Sequence, residues 1–169
     1  YHSSLHELAR NTRELIASLG IERPILAGHS MGGTLAMRYA DEAVIITNPE
    51  VSSVRDSDRI IGMLDSKTVK AERGERVEKH VLITRYDAAR AARGEMLSIE
   101  DILEILATPL LGIIPESKEV LNASNIGTPV TLSNPASAPA RAYDDVARRL
   151  RGESVPLVEQ RSLELELAG

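Results

Sequence analysis

Cysteine is absent from all 169 residues, which excludes a disulfide framework, a thiolate metal site and a cysteine nucleophile together. Tryptophan and phenylalanine are absent too, and four tyrosines are the whole aromatic complement. Base-stacking platforms and aromatic-lined pockets are therefore not expected. Lysine stands only at Lys67, Lys70, Lys79 and Lys118, and the formal net charge is −5. That balance argues against a wide basic nucleic-acid footprint. Long apolar runs are missing as well. A run such as Leu110 to Ile114 falls far short of the ~20 residues that cross a bilayer, and no secretory signal opens the sequence. A protein held in a reducing cytoplasmic compartment is the expectation.

What remains is ordinary globular material: 43% hydrophobic and 27% charged residues. The patterning alternates between helical and strand periods. Leu5, Leu8, Leu15, Ile16 and Leu19 recur at helical spacing until Gly20 stops them. Met31 to Ala40, Val51 to Leu64 and Ser137 to Leu150 read as helices, and Ser98 to Leu106 opens on a capping box. Pro24 to Ala27, Ala43 to Thr47, Val81 to Arg85 and Leu110 to Ile114 read as short buried strands. The charged stretch from Lys67 to Lys79 reads as an exposed linker or a solvated helix end. Apolar strands separated by helices predict an α/β fold: three layers, with a mostly parallel sheet of about four or five strands and helices on both faces. In such sheets chemistry gathers beyond the carboxyl ends of the strands. Gly28 to Ser30, Asn48 to Glu50, Tyr86 to Asp87 and Pro115 to Glu116 should then share one rim.

The motif with chemical content is Gly28-His29-Ser30-Met31-Gly32-Gly33, set between a strand and a helix. A serine forced onto a sharp strand-to-helix turn needs small neighbours. It then stands above the sheet as a nucleophile, and the Met31 backbone N–H is placed to stabilise an oxyanion. With this elbow, with His6-Glu7-Leu8-Ala9 and with Met37-Arg38-Tyr39-Ala40, residues 1–40 resemble the α/β-hydrolase family. The resemblance implies a late acid and a histidine base. Asp87 and Glu116 sit at the proper rim as possible acids. Among the four histidines, His2 and His6 precede or join the first helix, and His29 lies inside the elbow. His80 opens a strand and so belongs to the opposite rim. No histidine occupies the position that a triad needs.

From Asp41 onward the relatives change. Asp41 to Asp56, Leu82-Ile83-Thr84-Arg85-Tyr86, Gly94 to Ser98 and Gly112-Ile113-Ile114-Pro115-Glu116 resemble the MinD family of division-site ATPases, as do Ala123-Ser124-Asn125 and Gly127-Thr128-Pro129-Val130. The resemblance implies a nucleotide-base pocket at Tyr86, Asp87, Pro115 and Glu116. A G-K-[ST] phosphate loop occurs nowhere in the sequence, so that pocket is vestigial and ATP turnover is not expected. Residues 153–169 carry Glu153, Glu159, Glu164 and Glu166 against Arg161, with Leu163, Leu165 and Leu167 at strand period. Such a tail will not bind an anionic bilayer.

The expectation is one α/β domain over residues 1–152, joined from a hydrolase-like 1–40 and a MinD-like 41–152, with an acidic tail at 153–169. Two functions stay open. One is a reduced serine hydrolase on small esters, with Ser30 as nucleophile and Met31 as oxyanion donor. The other is a non-catalytic MinD-like binding module that has lost ATP turnover. No cofactor and no metal are expected, nor are nucleic-acid or membrane partners. A small sheet with an apolar open edge, at Ala43 to Thr47 or Pro24 to Ala27, predicts a homodimer or larger even assembly through that edge or the tail.

Overall fold

A computed structural model describes residues 2–22, 24–26 and 31–157. The architecture is α/β: a sheet of three parallel strands in the order β1-β2-β3, with helices around it. The strands are β1 (Glu42–Thr47), β2 (Glu78–Tyr86) and β3 (Leu110–Pro115). β2 and β3 run parallel, with Leu82 beside Gly112, Ile83 beside Ile113 and Tyr86 beside Pro115. No helix among the described residues is long and apolar enough to cross a membrane.

The chain divides into two compact units. One takes residues 1–43 and 59–79, the other 44–58 and 80–169. The first unit holds α1 (His2–Ser18), α2 (Met31–Arg38), the later turns of α3 (Val51–Lys67) and α4 (Val69–Glu72). Gly20 ends the first helical stretch at φ +68°, a left-handed position that favours glycine. Leu8, Leu15 and Leu19, the apolar face read from the sequence, remain exposed. The Arg13 guanidinium lies 5.3 Å from the centre of the Tyr39 ring. Arg38 donates to the Lys67 carbonyl at 2.7 Å and pairs with Glu72, whose carboxyl that hydrogen bond holds below its usual range.

Two expectations are corrected here. Pro24 to Ala27 was expected as a strand, yet Pro24, Ile25 and Leu26 form none, and Ile25 is 99% exposed; Ala27 lies outside the described residues. A strand needs a paired backbone and a buried face, and these three residues have neither. The described sheet accordingly has three strands where four or five were expected. Lys67 to Lys79 is not a plain linker. α3 runs on to Lys67, and Thr68 is fully buried, donating its hydroxyl to the Leu64 carbonyl while accepting from the Ala71 N–H. That single side chain closes one helix and caps the next.

The second unit carries two apolar clusters. Helices α5 (Ala88–Ala92), α6 (Ile99–Leu106), α7 (Lys118–Asn125), α8 (Val130–Ser133) and α9 (Ala138–Leu150) follow in order. The Ser98–Asp101 capping box opens α6 with both reciprocal bonds in place, and Ser137 caps α9. Leu82, Leu111 and Ile114 pack with Val146 of α9, while Ala123, Val130 and Ala140 form a smaller cluster.

Candidate functional site at the carboxyl ends of the strands

β1 ends on Thr47, and its fully buried hydroxyl lies 3.1 Å from the Ser53 hydroxyl. The Ser53 oxygen accepts from the Asn48 N–H, also at 3.1 Å. Thr84, near the end of β2, donates to the Asn48 side-chain oxygen at 2.9 Å. These hydroxyls tie the ends of β1 and β2 together. They leave no buried side-chain polar atom without a partner among the described residues.

Beyond Thr84 the register of β2 against β3 is irregular. Arg85 takes φ +58°, a left-handed conformation that non-glycine residues seldom adopt and that costs of order 1–3 kcal/mol where surrounding structure holds it. Past this irregularity β2 ends with Tyr86 beside Pro115, and the Glu116 N–H donates to the Tyr86 carbonyl at 2.9 Å. The two pieces expected of a vestigial base pocket are therefore brought together.

Both candidate acids on this rim are already engaged. Asp87 caps α5, accepting from the Arg90 N–H at 3.0 Å. Glu116 takes one guanidinium on each oxygen, Arg85 at 3.4 Å and Arg90 at 3.2 Å. The network continues to Glu95, which accepts from Arg93 at 2.6 Å and from Arg90 at 3.4 Å. Arg93, foremost, and Arg90 hold the Glu95 carboxyl below its usual range, and Glu95 in turn raises Arg93. A carboxylate compensated in this way is a poor orienter for a histidine base.

The remaining candidates fall apart in space or outside the described residues. His29 and Ser30 lie outside them. Met31 is the first residue of α2, so a helix does begin where the elbow requires one. His80 is a half-buried residue near the opening of β2. The six residues from His80 to Tyr86 span roughly 20 Å of strand, which keeps it at the far rim as expected. His6 is exposed on α1. The arginines Arg85, Arg90 and Arg93 and the acceptor Glu95 were not singled out from the sequence. An aspartate set directly before the alanine-rich residues 88–92 was the available sign that Asp87 serves as a helix cap.

Comparison with known proteins gives two different answers. The model of the alpha/beta hydrolase family matches residues 2–160. Among curated proteins, the septum site-determining protein MinD of Neisseria meningitidis is 56% identical over 140 residues, covering 83% of this chain and 50% of that protein. MinD of Escherichia coli K12 is 55% identical over 131 residues, covering 77% and 48%. The chain thus spans about half the length of the curated relatives it matches. Among solved structures, the MinD cell division protein of Aquifex aeolicus aligns with a TM-score of 0.73 at 40% identity, covering 89% of this chain and 62% of that one. The MinC:MinD complex of the same organism aligns at 0.72 and 38%, covering 90% and 61%.

Proposed function

From the premise that the chain belongs to the alpha/beta hydrolase family and is built mostly of MinD-like sequence, we propose that it acts as a non-catalytic binding module on a MinD-like scaffold. One observation carries this reading: a 56%-identical match to MinD covers 83% of the chain, while the sequence contains no phosphate loop. Nucleotide phosphates are held by a cradle of backbone N–H groups and a lysine. Adjacency of Tyr86 and Pro115 does not replace that charge compensation. The rim arginines are already paired with Glu95 and Glu116. ATP is therefore not a ligand in this reading, and a protein is. The Aquifex relative solved together with MinC supports a MinC-like protein as that partner.

Calorimetric titration tests both halves. Magnesium ATP should give no measurable heat, and purified MinC should give saturable binding without nucleotide. Micromolar ATP affinity, or binding of MinC only when ATP is added, overturns the reading.

A second reading is favoured by the family match over residues 2–160 together with the start of α2 at Met31. In it, Ser30 attacks small activated esters and the Met31 N–H supports the oxyanion. With no histidine base at hand, turnover is slow and rises with pH, since general-base help contributes about 10²–10⁴-fold where it exists. A serine-directed activity probe should label the chain and fail to label Ser30→Ala. Labelling that survives that substitution, or none at all, removes this reading.

A further inference from the structure

We propose that α2 is held by a releasable ionic latch: two crossed ion pairs, Arg38–Glu72 and Asp41–Lys70, fasten it to α4, and breaking them frees α2 while β2 and β3 stay folded. The inference goes beyond both functional readings above and needs neither.

Every group of the latch lies within the first unit. Arg38 stands in the last turn of α2, and its side chain is 16% exposed. Its Nη1 lies 2.7 Å from Oε1 of Glu72, and its Nη2 donates to Oε2 at 2.8 Å. The pair is bidentate, fork against fork, which adds geometric specificity to the attraction. Nη1 also donates to the Lys67 carbonyl at 2.7 Å. That carbonyl is one of those the end of α3 leaves without a partner inside the helix, where a cation is the favoured group. One guanidinium of α2 therefore serves α3 and α4 together.

Three residues further on, the charges are reversed. Asp41, just beyond α2, takes the Lys70 ammonium at 3.1 Å. Lys70 and Glu72 both belong to α4. A cation followed by an anion on one segment thus meets an anion and a cation on the other. Shifting α2 so that Arg38 faced Lys70 and Asp41 faced Glu72 would set like charges together. The sign pattern accordingly selects one seating, by repulsion as well as by attraction.

The attachments of α2 differ in kind. α1 and α2 pack on one another, and Arg13 lies against the Tyr39 ring. Towards α4 the ties are charged, and contacts between charged groups at the surface weaken as salt rises. α4 is a single turn, too short to persist by its own backbone bonds. Loss of the ion pairs therefore loosens both sides of the joint. Because α2 begins at Met31, the latch also decides whether that helix start is fixed in place.

Hydrogen-exchange mass spectrometry on the full chain is the test, at about 0.1 M and about 1 M sodium chloride, between which the screening length falls from about 10 Å to about 3 Å. The backbone hydrogens of α2 should exchange at least threefold faster at the higher salt, and at the lower salt in Glu72→Gln, with those of β2 and β3 unchanged. Asp41→Lys should have the same effect by setting two ammonium groups together. Adding Lys70→Asp should restore most of the protection, which a loss of packing alone would not do. Asp41 is largely exposed, so its variants report even if Glu72→Gln fails to fold. Exchange in α2 that is indifferent to salt and to Asp41→Lys overturns the proposal. So does acceleration shared equally by β2 and β3, or a reversed pair no better protected than Asp41→Lys alone.

Discussion

Gly112 of β3 lies so close under Val146 of α9 that a β-carbon placed on it would come within 2.5 Å of the valine Cγ2. Val146 is β-branched and stiff at χ1, and it is locked into the cluster with Leu82, Leu111 and Ile114. Neither partner can yield cheaply. Gly112→Ala should therefore destabilise the fold by about 1–3 kcal/mol through overpacking. Adding Val146→Ala should recover part of that loss. Urea unfolding of the two variants measures both effects, and additive losses would show that the two positions do not share one contact.

Arg149 holds three carbonyls at once: Leu111 at 2.9 Å, Val155 at 2.8 Å and Pro156 at 2.6 Å. Arg149→Met keeps much of the aliphatic stem and removes every donor. The segment around Val155, which is buried, should then exchange its backbone hydrogens at least tenfold faster. Hydrogen-exchange mass spectrometry should report that change, with little effect at β2.

Hydrogen bonds from Arg148 and then Arg151 hold the Glu153 carboxyl below its usual range. A carboxylate whose pKa is lower folded than unfolded stabilises the fold above its unfolded pKa. That contribution disappears as pH falls through the folded value. Glu153→Gln should accordingly unfold at lower urea than the native chain at pH 7, and the two curves should converge at about pH 2, below the carboxylate range. A gap that stays constant with pH would mean that packing, and not charge, sets the difference.

Ala107 ends α6 in the left-handed conformation at φ +45° and is exposed. Glycine carries no β-carbon penalty there. Ala107→Gly should raise stability by about 0.5–1 kcal/mol, the conformational relief exceeding the entropy that glycine adds to the unfolded chain. Thermal unfolding decides the sign.

Much of the second unit was readable because its signals are local. Ser98 and Asp101 sit three residues apart and do what that spacing implies. In the first unit, Gly20 likewise stops a helix as glycine does. β2 and β3 followed from apolar runs bounded by turn residues. Pro24 to Ala27 had the same composition but found no partner strand, and composition cannot report pairing. Thr68 was hidden among charged neighbours that read as solvated. At the rim, strand order already placed Tyr86 near Pro115. The commitments of Asp87 and Glu116 depend on Arg85 and Arg90, and a non-glycine residue at positive φ has no sequence signature.

The Thr68 joint bears on where the chain can be cut. Lys67, Lys70, Arg73, Arg76 and Lys79 read as a ladder of trypsin sites. A protease must draw several residues of extended backbone into its cleft. Lys67 and Lys70 are wound into α3 and α4 on either side of a buried hydroxyl. Arg73 and Arg76 flank an exposed turn that carries no regular structure. Limited digestion should therefore open this stretch after Arg73 and Arg76 first, dividing the chain between α4 and β2.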